Sequence, residues 1–248
     1  MHKLVVGAIF KNEGHILDEW IRHYLARGVD HIFLVNDFST DDFEAKILPF
    51  ADKVTLFHND IVTKSLGRQT QIYEKYFRPI LPLTKWMAIL DLDEFLYSRD
   101  TLDLPSVIDR YNEYSQITVD WLHFGSSGHI HQPPSVVDGF RMRANFDTTK
   151  WYYANKSIFR ANTLLAFSIH KHNVDGQTFH IHYSEDASLI INHYTLQSLE
   201  FFTKVKMTRG DADNYIQTTA YQRNLEFFNM NDVNDIRDDL LVNQNRLI

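Results

Sequence analysis

"KLVVGAIFKNEGHILDEWIRHYLARGVDHIFLVND", residues 3–37, decides the architecture. Its first apolar run, 3–10, shows no alternation, as expected of a strand covered on both faces. Ile16, Leu17, Trp20, Ile21, Tyr24 and Leu25 then recur at the spacing of one helical face, which Gly28 closes. A second apolar run, 31–36, follows. Strand, helix and strand with short connections predict a right-handed parallel crossover. The pattern continues outward: "DFSTDD" offers N-cap residues for a short helix over 43–48, 53–58 reads as a third strand, 67–81 as a helix ended by Pro82, and 85–91 as a fourth strand. The fold class is therefore α/β, with a mostly parallel central sheet.

Ligands of such sheets gather beyond the carboxyl ends of the strands. "KNE" (11–13), "NDFSTD" (36–41) and "DLDE" (91–94) each follow a predicted strand, so three polar strand ends form one cleft. A carboxylate placed behind a core strand needs a partner. If 86–93 is extended, Asp91 and Asp93 share a face about 7 Å apart, Leu92 points the other way, and Glu94 faces away from the pair. Two such acids can share a divalent cation, or a cation and ribose hydroxyls; the plainer reading is a solvated strand end.

Beyond residue 115 the pattern changes. "QITVDWLHFG" (116–125) and "KSIFR" (156–160) read as strands, and "AFSIHKHNVDGQTFHIHYS" (166–184) as a hairpin about Asp175-Gly176. Residues 195–210 read as a helix capped by Thr195 and ended by Gly210, followed by two polar helical segments. No repeat or linker divides the 248 residues, which predicts a single domain, 1–248.

The net charge of −7 argues against nucleic acid as a partner, and the absence of cysteine confines any metal site to His and carboxylate ligands. No apolar run is long enough for a signal segment or a membrane span, so a cytoplasmic chain is expected, with peripheral membrane contact compatible. Neither a Walker A sequence nor G-x-G-x-x-G follows the first strand, which removes the ATPase and dehydrogenase readings.

Four segments in order carry a more specific signal: "AIFKNEGHILDEWIRHYLARGVDHIFLVNDFSTD" (8–41), "WMAILDLDEFLY" (86–97), "WLHFGSSGH" (121–129) and "INHYTLQSLEFFTKVKMTRG" (191–210). Together they resemble the GT-A glycosyltransferases of the family 2-like and family 92-like branch. The resemblance implies a GT-A fold with C-terminal helices: a nucleotide-sugar half over 1–100, an acceptor-side half over 101–210 and a helical segment over 211–248. It implies transfer of a hexose from a nucleotide-diphosphate sugar, a UDP-sugar, to a glycan or lipid-linked glycan acceptor, with inversion and with Mn²⁺ or Mg²⁺.

Position by position, it places Asn12 and Glu13 near base or ribose, Asp37 on the uracil and Arg68 on the nucleotide or a phosphate. Asp91 meets ribose or metal, Asp93 and His193 meet the metal, and Lys204 and Arg209 meet the diphosphate. Asn36-Asp37 stands where the family usually has Asp-Asp, and Phe38 where it has Gly. The general base stays open between Asp186, His129 and His170. Trp121 and Trp151 are candidates for stacking on acceptor sugar.

Three rival readings remain. His170, His172, His180 and His182, paired by period two in a hairpin, would gather four imidazoles for Zn²⁺ or Fe²⁺. "ILDLDEF" would make Asp91 a phosphatase nucleophile and Asp93 its acid-base, although Phe95 stands where Thr or Val is usual. The third is a non-catalytic nucleotide-sugar or carbohydrate binding protein.

Overall fold

The computed structural model describes residues 1–62, 65–147, 154–210, 212–213 and 223–247. Strands β1 (His2–Phe10), β2 (His31–Asn36), β3 (Val54–His58) and β4 (Thr84–Ile89) pair in parallel in the order 3-2-1-4. Helices α1 (Gly14–Ala26), α2 (Phe43–Ile47) and α3 (Arg68–Tyr76) fall between them. This is the α/β alternation expected from residues 3–91. The second half continues the same sheet through β5 (Glu94–Ser98), β6 (Gln116–His123), β8 (Asn155–Arg160), β11 (Thr178–Ile181) and β12 (Leu189–His193). The short strands β7 (Met142–Arg143), β9 (Leu164–Ala166), β10 (Asn173–Val174) and β13 (Ile236–Arg237) form two small ribbons, β10 on β9 and β13 on β7. Nine strands thus form one mixed, mostly parallel sheet spanning both halves.

The inner face of α1 buries Ile16, Leu17, Trp20, Ile21 and Tyr24 completely. At about 1.5–3 kcal/mol for each large apolar side chain, this contact anchors the helix. It also positions function. Trp20 Nε1 donates to the carbonyls of Asp91 and Glu94 at 3.2 and 3.1 Å, and Tyr24 Oη donates to the Glu94 carbonyl at 2.9 Å. Gly7 lets Phe77 and Met87 reach β1; a Cβ there would lie 2.9 Å from Met87 Cε.

Four local expectations change. The helix expected over 67–81 stops at Tyr76 and tightens to a 3₁₀ run at Arg78–Leu83, where Pro79 and Pro82 lack the N–H groups an α-helix needs. The C-terminal helix begins after Ser198, not Thr195: Ser198 Oγ accepts from Phe201 N, and Gly210 at φ +70 ends the segment 199–209. Residues 91–93 are a turn between β4 and β5 rather than strand. The 166–184 hairpin does not form. Asp175-Gly176 passes the chain from the β10–β9 ribbon into β11, which joins β6 in parallel and separates the two His pairs.

His123 and His172 are buried, and desolvation depresses their pKa to about 4 and about 3. A depressed imidazole leaves the unfolded chain binding more protons, so this stability is present above about pH 6.5 and lost as pH falls toward 4. His123 alone accounts for roughly 2–3 kcal/mol between pH 7 and 4.5. Urea midpoints at those two pH values should fall accordingly, and His123→Gln should flatten the slope; an unchanged midpoint refutes it.

Candidate donor pocket

The three polar strand ends meet at a cleft of about 820 Å³ lined by Lys11, Glu13, Asp37, Asp91 and Asp93. Its other walls include Arg68, Trp121, His170, His193 and Arg209. The turn after β4 sets the acids. Asp91 N donates to Glu94 Oε2 at 2.8 Å and Glu94 N to the Asp91 carbonyl at 3.0 Å, so Glu94 lies fully buried beneath the turn. Burial pushes the Glu94 carboxyl well above the usual range, against the pull of Lys156.

Two buried lysines underlie the acids. Lys156 Nζ, from β8, lies 2.9 Å from Asp91 Oδ2 and 3.6 Å from Glu94 Oε2. Burial works against its charge, but Asp91 and Glu94 outweigh burial and raise its pKa. Lys206 Nζ lies 2.5 Å from Asp93 Oδ2 and donates to the Thr195 carbonyl at 2.5 Å. Burial alone would raise the Asp93 carboxyl; Lys206 and His193 overcome it and hold the acid well below its ordinary pKa. Asp93 turns Oδ1 toward His193 Nε2 at 3.6 Å. Asp91, Asp93 and His193 line one pocket. Asp93 and His193 face each other at 3.6 Å, but the ligand atoms of all three do not lie within 4.8 Å of one another, so holding Mn²⁺ or Mg²⁺ between them would require the pocket to draw Asp91 in. Lysines behind the acids fix their orientation, the role outer groups play around metal ligands.

The remaining candidates divide. Glu13 pairs with Arg209 at 2.8 Å, and Arg209 also donates to the Lys11 carbonyl, tying helix 199–209 to the end of β1. Asp37 is buried and takes a two-pronged contact from Arg68 at 2.5 and 2.9 Å, plus Asn59 Nδ2 at 2.7 Å. Arg68 gives its other N–H groups to the carbonyls of Ile61 and Ala212, so its whole fork is engaged within the protein and it orients Asp37. Asn12, at φ 53, accepts from Thr40 N and donates from its own N to Ser39 Oγ, stapling the loop after β2 to the end of β1; it is not a wall of the cleft.

Lys204 is exposed and paired to Glu200 at 2.6 Å on the outside of its helix; Lys206, two residues on, faces the site instead. Of the base candidates, only His170 lines the cleft. Asp186 sits exposed in the turn before β12, and His129 engages the Gly139 carbonyl through Nε2 away from it. Desolvation lowers the His170 pKa, which keeps its imidazole neutral. Trp121 lies 5.3 Å from His170 and 4.2 Å from His193 between ring centroids, and its indole N–H is buried with no partner among the described residues. Trp151 lies outside the described residues. The four-imidazole cluster of the rival reading is split: His172 accepts from Ser168 N inside the core, while His180 and His182 meet Asp120.

Sequence alone missed Lys156 and Lys206. Each lies in a segment that mixes apolar and polar residues, "NKSIFR" and "FFTKVKM", and such a segment marks a buried cation only once its acid is known.

The sequence profile of glycosyltransferase family 92 matches residues 80–240. A family 92 protein of Ricinus communis is 25% identical over 210 residues, covering 81% of this chain and 37% of the relative. One of Oryza sativa subsp. japonica is 25% identical over 213 residues, covering 81% and 34%. The chain thus spans little more than a third of these relatives' length. Among solved structures, S. aureus TarS in complex with UDP superposes with a TM-score of 0.45 at 12% identity, over 81% of this chain and 62% of that one. HddC from Yersinia pseudotuberculosis gives 0.43 at 10% identity, over 77% and 93%.

Proposed function

The chain belongs to glycosyltransferase family 92, and we propose that it moves a hexose from a UDP-sugar to a hydroxyl of a glycan acceptor. One observation carries the reading: Asp91, Asp93 and His193 line the same cleft as Glu13 and Asp37, from the ends of β1 and β2. Asp37, held by Arg68 and Asn59, would accept from a base N–H. Glu13 and Asp91, on the same cleft, would meet ribose hydroxyls. Asp91, Asp93 and His193 would hold Mn²⁺ or Mg²⁺, which when bound neutralises charge on the departing diphosphate. Arg209 adds a fixed cation at the same end of the cleft.

His170 is the group we assign to the acceptor. A neutral imidazole on the cleft wall can take the proton of an attacking hydroxyl, and attack from the face opposite the leaving group inverts the anomeric centre. The Trp121 N–H offers a donor beside it. No helix among the described residues is long and apolar enough to cross a membrane, which is compatible with an acceptor met in solution or at a lipid surface.

Thermal unfolding with UDP, GDP and CDP, each with and without Mn²⁺, tests the reading. A ligand bound only by the folded state raises its stability, by about 2.7 kcal/mol at a hundredfold excess over Kd. The expected result is a rise with UDP that needs Mn²⁺. A rise with GDP or CDP alone reassigns the donor, and folded protein indifferent to all three refutes the transferase reading.

A further inference from the structure

A second cluster lies where β6 exchanges partners. β11 pairs with β6 as far as Ile181 opposite Val119, and β12 takes over with Ile191 opposite Trp121. Asp120 stands at the handover. Alternation along β6 sends Trp121 into the donor pocket and Asp120 to the opposite face. There Asp120 is 8% exposed. Its Oδ1 lies 2.6 Å from His180 Nε2 and its Oδ2 3.3 Å from His182 Nδ1, and Tyr183 N donates to Oδ2 at 3.2 Å. The two imidazoles stack with centroids 4.0 Å apart. One ligand atom from each of the three residues falls within 4.8 Å of the others, the one such trio among the described residues.

Asn155 provides an independent sign. It is the cross-strand partner of Asp120 on β8, so the two side chains share a face of the sheet. Its Oδ1 is buried with no hydrogen-bond partner among the described residues. An orphaned amide oxygen on that face is a further oxygen donor.

We propose that Asp120, His180 and His182 form a metal site separate from the donor pocket, which takes Zn²⁺ and fastens the end of β11 to β6. Two imidazoles and one carboxylate favour a borderline-soft first-row ion over Mg²⁺ or Ca²⁺, which prefer all-oxygen shells. Three protein ligands leave a position for water or for Asn155. The half-open rim, where the His182 side chain is 70% exposed, gives the ion an entry path. Fastening β11 also steadies the segment that leads out of β10 and, before it, the His170 loop. The site does not depend on glycosyl transfer: it rests on β6, on β11 with the residue just past it, His182, and on β8.

The test is calorimetric titration of chelator-stripped protein with Zn²⁺, paired with elemental analysis after dialysis. Wild type and Asp93→Asn are each expected to take up one Zn²⁺ per chain and to gain thermal stability. The double variant His180→Ala/His182→Ala and, separately, Asp120→Asn should lose at least about a hundredfold in affinity while keeping native far-UV circular dichroism. The His substitutions fall at the rim of the fold, and Asp120→Asn preserves shape should they disturb it. No uptake by wild type, or uptake surviving both triad variants, overturns the site and leaves Asp120 a hydrogen-bond anchor. Uptake abolished by Asp93→Asn but not by the triad variants also overturns it, and assigns the ion to the donor pocket. A chain that ignores UDP, GDP and CDP yet binds Zn²⁺ here refutes the transferase reading while leaving this one standing.

Discussion

Asp93→Asn should lower UDP-sugar turnover by about a thousandfold and leave the chain folded. The substitution keeps the shape of a side chain that is 9% exposed and removes only its charge. That charge does two things. It faces His193 at the cleft wall, where with Asp91 it would hold a divalent ion, and it neutralises Lys206 behind it. Losing one electrostatic stabiliser of a developing charge typically costs 10²–10³ in rate, and a metal ligand sits at the upper end of that range. The fold is expected to survive because Lys206 keeps the Thr195 carbonyl, and because burial already lowers its pKa and eases loss of its proton. A broken buried pair costs roughly 3 kcal/mol, several degrees in a chain of this size. Release of UDP from a panel of UDP-hexoses, followed beside a thermal melt, measures both effects. Asp186→Asn serves as the control and should change neither, since Asp186 lies in an exposed turn outside the cleft. An Asp93→Asn protein with full turnover and unchanged metal dependence removes Asp93 from the site.

What could be read before the structure was what period and punctuation encode. The β1–α1–β2 unit, the alternation up to β4 and the gathering of three polar strand ends follow from apolar runs, a helical stripe and the rule for open α/β sheets. Those patterns are local. The errors came where a residue's role is decided by a partner far along the chain. Lys204 and Lys206 lie two apart on a helix and are equivalent by composition, yet one pairs with Glu200 outside and the other with Asp93 inside, a contact spanning 113 residues. Arg68 read as a contact for the nucleotide or a phosphate, but its fork is fully engaged by Asp37, Ile61 and Ala212. The His-rich segment read as a hairpin because Asp-Gly between apolar runs signals one. β6 instead had an open edge along Gln116–Val119 that β11 could fill in parallel, and pairing there won over the local turn. Register across a sheet is not written in either strand alone.

The pair Lys204 and Lys206 also gives the second large effect. Lys206→Met should cost about a hundredfold in turnover and several degrees in thermal midpoint, whereas Lys204→Ala should cost nothing measurable in either. Methionine fills much of the lysine stem's volume, so the loss is mainly electrostatic, the ammonium's position over the Phe201 ring at 5.9 Å included. Asp93 then keeps a charge in a 6% exposed position with His193 as its remaining partner, and an uncompensated buried charge costs roughly 3–5 kcal/mol. The acid can escape that cost by protonating or by turning outward, and either removes it from the geometry at the cleft wall. Lys204, by contrast, is 71% exposed in an i,i+4 pair on a helix surface, an arrangement worth only a few tenths of a kcal/mol. Lys206→Arg separates position from charge: a guanidinium restores the cation but not the compact geometry that reaches Asp93 and the Thr195 carbonyl together, so partial recovery of stability with little recovery of rate is expected. Turnover and melting measured on the three variants decide the matter. If Lys204→Ala loses the activity and Lys206→Met keeps it, the diphosphate contact returns to Lys204 and the buried pair with Asp93 is structural only.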